Sequence, residues 1–169
     1  MMHPKTYIPS VVSILRFISA PLFFYTFIIG QFPLSAFIIL FAALTDIMDG
    51  CLARRWDAVS TFGAYLDVTA DFVLVFLAFF ALASAGWYSN CVLGLISLSF
   101  FLFLATSRSK KPIYDPMGKY LGSYMMGMVF LSVLFPQTFL RQILLFILVL
   151  MVIISTISRL LYLTGRIEI

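Results

Sequence analysis

Four aspartates carry the chemistry that this chain is equipped to do. Asp46 and Asp49 stand three residues apart and Asp67 and Asp71 four apart, and either spacing sets a pair on one face of a helix. All four lie at or inside the boundaries of apolar runs, where a carboxylate costs roughly 2.5–3.5 kcal/mol on insertion scales. Such a cluster demands compensation. Oxygen-only ligands, with no histidine or thiolate among them, are what hard divalent cations prefer, so Mg²⁺ or Mn²⁺ is the expected cofactor. Two ions are expected, because four carboxylates over-charge a single site. Divalent ions in turn call for a phosphate-bearing substrate whose oxygens complete the coordination shell. The neighbouring residues fit that chemistry. Gly50 and Gly63 leave room for backbone or substrate, Ala53 sits one turn beyond Asp49, and Arg54 suits a diphosphate.

A second group of charges is cationic. Arg108, Lys119 and Arg159 come from three different apolar runs and are expected at the same membrane level as the aspartates. Arg159 lies within an apolar segment, where a buried partner is expected. Together they suit an acceptor that carries its own phosphate, which a neutral alcohol would not require. Lys110 and Lys111 are explained equally well by membrane topology. His3 is solitary and has no assigned role.

The elements that must position these groups follow from hydropathy. The chain has 169 residues, 63% of them hydrophobic, with a mean hydropathy of +1.09, which is too much apolar surface for a soluble domain of this size. Apolar runs at 9–30, 33–52, 61–85, 88–106, 118–135 and 138–163 predict six transmembrane helices in one all-α domain spanning 1–169. Gly30–Pro33, Gly86–Asn90 and Pro136–Thr138 are short turns on one face, while Ala53–Ser60 and Ser107–Met117 connect the spans on the other. Ten of the eleven basic residues fall toward the longer-loop face and only Arg141 toward the short-turn face. That asymmetry places both termini, and with them the aspartates, on the cytoplasmic side of the cell membrane. The net charge of +4 is therefore a membrane-orientation signal, and no nucleic-acid partner is expected. Met1 to Tyr7 lacks a small-residue cleavage site, so the first apolar run is expected to be retained. Cys51 and Cys91 fall near opposite faces, which makes a disulfide improbable. Trp87 and Tyr88 read as interfacial anchors, and Gly118, Gly122 and Gly127 as a surface for close helix packing or a subunit contact, with packing within one chain preferred.

Written out, Asp46-x-x-Asp49-Gly50-x-x-Ala53-Arg54, eight residues, then Gly63-x-x-x-Asp67-x-x-x-Asp71 resembles the signature of the CDP-alcohol phosphotransferase family at every fixed position. The first apolar run, with Pro9, Ser13 and Arg16, is similar to the family's first-helix pattern, except that Ser10 stands where many members have Asn. Ser60 matches a Ser/Thr common near the nucleotide in relatives. The resemblance implies two divalent ions on the aspartates and a CDP-linked lipid held by its diphosphate near Ser10, Asp49, Gly50, Ala53, Arg54, Ser60 and Gly63. It implies Asp71 as the base that deprotonates the alcohol, CMP as the leaving group, and a homodimer with one active site per protomer. Gly118-Lys119 resembles the Gly-Lys pair of phosphatidylglycerophosphate synthases, with Leu121-Gly122 in place of the Lys-Thr that often follows.

Glycerol 3-phosphate, an inositol phosphate, free inositol, serine and a second lipid all remain open as acceptors, as do ester and ether lipid tails. The rival reading is a six-span cation transporter or channel with the aspartates as its path. A conduit should continue as polar residues to the short-turn face, where this chain is uncharged except for Arg141.

Overall fold

The computed structural model describes residues 7–56, 61–107 and 118–163, and the side-chain surroundings of 14–45, 68–105 and 120–161. The described residues form six α-helices and no strand: α1 (Tyr7–Ile28), α2 (Phe32–Trp56), α3 (Thr61–Ser84), α4 (Cys91–Ser107), α5 (Gly118–Leu134) and α6 (Thr138–Leu163). Their order and turns follow the apolar runs. The main departure is length, since α4 and α5 have 17 residues each, or about 25 Å of helix. Residues 88–90, expected in the fourth span, belong to the turn before α4. Among the described residues, Thr138–Leu161 is the one stretch both long and apolar enough by itself to cross a bilayer.

α3 is the centre of the bundle. Leu74, Ala78, Phe79, Ala81 and Leu82 are wholly buried, and α3 packs against α1, α4 and α5. α1 meets it along Arg16, Ala20, Phe23 and Phe27, a buried stripe at spacings of four, three and four, which is one face of a helix. α2 lies against α1 and α5, and α6 against α5 and α4. The outer surface is as apolar as the core. Phe37, Phe101, Phe139 and Phe146 are more than 60% exposed, which is costly in water and neutral in lipid.

The short-turn end is closed by repeated backbone chemistry. α1 ends with Gly30 at φ 80° and α3 with Gly86 at φ 73°, left-handed positions that favour glycine. In each, the glycine N–H reaches back three residues and the next N–H reaches back five, as Gly30–Phe27 and Gln31–Thr26 do, and as Gly86–Ala83 and Trp87–Leu82 do. Both are Schellman caps. The second cap delivers Trp87 onto Phe27, with ring centroids 5.1 Å apart, and onto Phe32 at 5.5 Å. Arg141 completes the cluster 4.8 Å above the Trp87 ring. Trp87 is half-buried, whereas Tyr88 departs from the expected interfacial anchor. It is buried, and its hydroxyl pairs with Ser132 at 2.7 Å, because a phenol turned inward needs a polar partner.

Candidate active site

Asp71 sits about three turns into α3 and Arg16 about three turns into α1. The two helices start at the same end of the bundle, so the residues meet at one depth. Arg16 Nη1 donates to Asp71 Oδ1 at 2.6 Å, a charge-assisted bond. Arg16 is 1% exposed while the Asp71 side chain keeps 35% exposure. A guanidinium buried that deeply requires an anion beside it. A carboxylate has two oxygens and several lone pairs, so the bond to Arg16 orients the group without exhausting it.

Asp71 also lines a cavity of about 350 Å³ bounded by α3, α4, α5 and α6. Arg159, one turn before the end of α6 and buried, lines the same cavity. Its guanidinium lies 5.3 Å from the centroid of Phe103, a cation–π distance. Thus the expected base and one of the three expected phosphate-binding cations line a single space. The remaining walls are mostly apolar, with Phe72 and Phe100 stacked at 3.9 Å between α3 and α4. Ser99 and Ser123 contribute hydroxyls, and Ser99 donates to the Leu95 carbonyl at 2.8 Å.

The other expected site residues divide by what is described of them. The helical backbone carries Asp46, Asp49, Gly50, Ala53 and Arg54 on the last three turns of α2, and Gly63 and Asp67 on the first two turns of α3. Ser10 lies in the first turn of α1 and Lys119 in the first turn of α5. The side chains of these residues lie outside the described set, and Ser60 and Arg108 lie outside the described residues altogether. The backbone alone puts all four aspartates on two consecutive helices joined by the 57–60 connection. An all-carboxylate donor set is what a hard divalent ion prefers. Of its four members Asp71 has a described side chain, part-open to the cavity, and among the described residues no three acidic, histidine or cysteine side chains gather at one point.

The sequence places Arg16 among the cytoplasmic-side cations and in the first-helix pattern, with no partner named; the structure pairs it with Asp71. The signal was present: an arginine three turns inside an apolar helix calls for a buried partner, the same argument that singled out Arg159. The glycines of α5 also differ from expectation. Among the described residues nothing approaches within 4 Å of a Cβ built at Gly122 or Gly127, so no described helix of this chain packs closely on either. Gly122 lines the cavity instead. Cys91 is a free, exposed thiol.

Comparison with known proteins bears on this site. A stretch of 74 residues is 45% identical to a CDP-diacylglycerol--glycerol-3-phosphate 3-phosphatidyltransferase of Salmonella paratyphi A, covering 42% of this chain and 41% of that protein. The enzyme of that name from Yersinia enterocolitica is 42% identical over the same length and shares. A probable cardiolipin synthase (CMP-forming) of Drosophila melanogaster is 39% identical over 69 residues, 40% of this chain and 21% of the fly protein. The matches thus span about two fifths of the bacterial relatives and one fifth of the fly protein. The family profile reaches much further, from residue 6 to residue 157, and so takes in the aspartate signature, the Arg16–Asp71 pair and the cavity walls from α3, α4 and α5, with Arg159 just beyond it. The chain belongs to the CDP-alcohol phosphatidyltransferase family.

Proposed function

We propose that this protein transfers a phosphatidyl-type or archaetidyl-type group from a CDP-activated lipid to a small phosphorylated alcohol, such as glycerol 3-phosphate or an inositol phosphate. The observation that carries the proposal is the shared cavity, in which the Asp71 carboxylate and the Arg159 guanidinium face one space. The acceptor hydroxyl gives its proton to Asp71, and its oxygen bonds to the lipid-linked phosphorus. The bond from that phosphorus to the bridging oxygen breaks, and CMP leaves with the bonding pair. Arg16 holds Asp71 in place for this step, and Arg159, with Arg108 and Lys119, holds the acceptor phosphate. The diphosphate is assigned to Arg54 and to the small residues Gly50, Ala53 and Gly63, with Ser10, Ser60 and Asp49 beside the nucleotide. Two Mg²⁺ or Mn²⁺ ions on Asp46, Asp49, Asp67 and Asp71 would neutralise the diphosphate and the departing CMP.

The setting proposed is an integral membrane enzyme of six spans with its site at the cytoplasmic face. The apolar outer surface of the described helices supports it. The assembly proposed is a homodimer with each site inside one protomer. A cation conduit gains no support from the short-turn end, where Phe27, Phe32 and Trp87 pack together under Arg141. The test is CMP release from CDP-diacylglycerol in detergent, comparing glycerol 3-phosphate and inositol phosphate with glycerol and inositol. Preference for the phosphorylated alcohols is expected, and equal use of both forms would overturn the acceptor assignment.

A further inference from the structure

Gly122 lies one turn into α5 on the wall of the cavity that Asp71 and Arg159 share. One turn further along the same face, Met125 and Met126 close the cavity with full-sized side chains that are buried. At Gly122 the wall has no side chain at all. A Cβ built there meets no described atom within 4 Å, so the packing of the described helices does not require glycine. The backbone does not require it either, since Gly122 lacks the positive φ that marks Gly30 and Gly86. Glycine is also a poor helix former, and α5 is continuous helix through this position. What remains is the space itself. It lies in a chamber of about 350 Å³, near the lower limit of small-molecule sites at roughly 300 Å³, where one added side chain takes a material share of the volume.

We infer that Gly122 sets the size of the alcohol this site accepts, keeping open the room that the acceptor's carbon skeleton fills between Asp71 and Arg159. The inference rests on the transferase reading and adds to it a specificity-determining position. Gly122 supplies no charge and no hydrogen bond. Its contribution is steric and therefore graded with the size of whatever replaces it and with the size of the acceptor.

The experiment measures two quantities in Gly122→Ala and Gly122→Val: the equilibrium affinity for glycerol 3-phosphate and for an inositol phosphate, and the KM of each in CMP release. The Kd and KM of whichever alcohol the wild type prefers should rise roughly threefold or more in Gly122→Ala and at least roughly tenfold in Gly122→Val. The six-carbon ring should suffer more than the three-carbon chain, and the KM for CDP-diacylglycerol should stay within about twofold in both. Gly122→Ala places its methyl in open space and gains helix propensity, so it tests the inference even where Gly122→Val fails to fold. Unchanged affinity for both alcohols in a folded variant overturns the inference, as does an equal loss toward alcohols and CDP-diacylglycerol. A wild type that binds these alcohols without releasing CMP overturns the transferase reading, while the binding series still decides the role of Gly122. A wild type that binds neither overturns both.

Discussion

The two ends of the bundle use the same residue type to opposite effect. At the short-turn end Arg141 lies over Trp87, and its Nη2 makes only long contacts, 3.5 Å to the Pro136 carbonyl and 3.4 Å to the Thr138 hydroxyl. At the other end Arg159 lies over Phe103 in much the same way. An arginine above an aromatic ring is therefore not in itself a site, because the ring face already offers the cation a partner. The difference is in what else is present. Arg141 stands among packed rings at a pair of glycine caps, whereas Arg159 shares a cavity with a carboxylate that a second arginine holds. A cation, an anion and room for a ligand coincide at one end only.

The sharpest way to break this asymmetry is to remove its anions. Replacing Asp46, Asp49 or Asp67 by Asn should abolish CMP release, as should chelation of divalent ions, with recovery on adding Mg²⁺ or Mn²⁺. Near-normal activity in any of the three at saturating metal would sink the two-metal reading. Asp71→Asn should lower turnover by on the order of 10²–10⁴ while changing CDP-lipid affinity less. If binding collapses and turnover per bound substrate does not, Asp71 is a ligand and not the base.

Next in size is the partner of Asp71. Arg16→Ala should cost roughly 10–100-fold in turnover, the range seen when the group that orients a ligand or base is lost. Arg16→Lys should restore part of it by returning the charge without the planar fork. A purely structural Arg16 would instead show lower thermal stability with unchanged turnover in the fraction that remains folded. Arg159→Ala should act more narrowly. Losing one charge-assisted hydrogen bond, worth about 1.5–3 kcal/mol, raises the acceptor KM by roughly 10–100-fold and leaves the KM for CDP-lipid alone. An unchanged acceptor KM would remove Arg159 from the phosphate site.

How far the sequence could be read differs between the same two ends. The aspartate spacing, the helix boundaries and the isolated Arg159 were all legible, because charge in an apolar run is costly and therefore informative. The inward and outward faces of the helices were not. Phe23 is wholly buried and Phe37 is 62% exposed, yet lipid and core are equally apolar, so no periodicity in the sequence separates them. The Arg16–Asp71 pair escaped for a related reason. It depends on α1 and α3 packing side by side at equal depth, a tertiary fact that local pattern does not contain. Tyr88 turned inward, and Gly122 faced a cavity, for want of the same information.

The smallest expected effect belongs to the short-turn end and tests whether the two ends are independent. Ser132 donates its hydroxyl proton to the Met128 carbonyl at 2.6 Å, so the 2.7 Å contact with Tyr88 has the phenol as donor and Ser132 as acceptor. Tyr88→Phe removes that donor and leaves Ser132 still bonded to the backbone, a loss of about 1 kcal/mol. Ser132→Ala is the harsher change, because it strands a buried phenol without its acceptor, at about 1–3 kcal/mol. The melting midpoint in detergent should therefore fall less for Tyr88→Phe than for Ser132→Ala. Burial raises the Tyr88 phenol above its ordinary value of 10.0, outweighing the Arg141 charge, which lowers it. A raised value means that the folded protein holds this proton more tightly than the unfolded chain. Its contribution is thus complete below the ordinary value and is lost as pH rises through the folded one. Tyr88→Phe should accordingly lose less stability than the wild type on going to strongly alkaline pH. In both variants the KM for alcohol and for CDP-lipid should match the wild type. A change in acceptor KM from Tyr88→Phe would mean that the sealed end and the charged end are mechanically coupled, and would end the separation drawn between them.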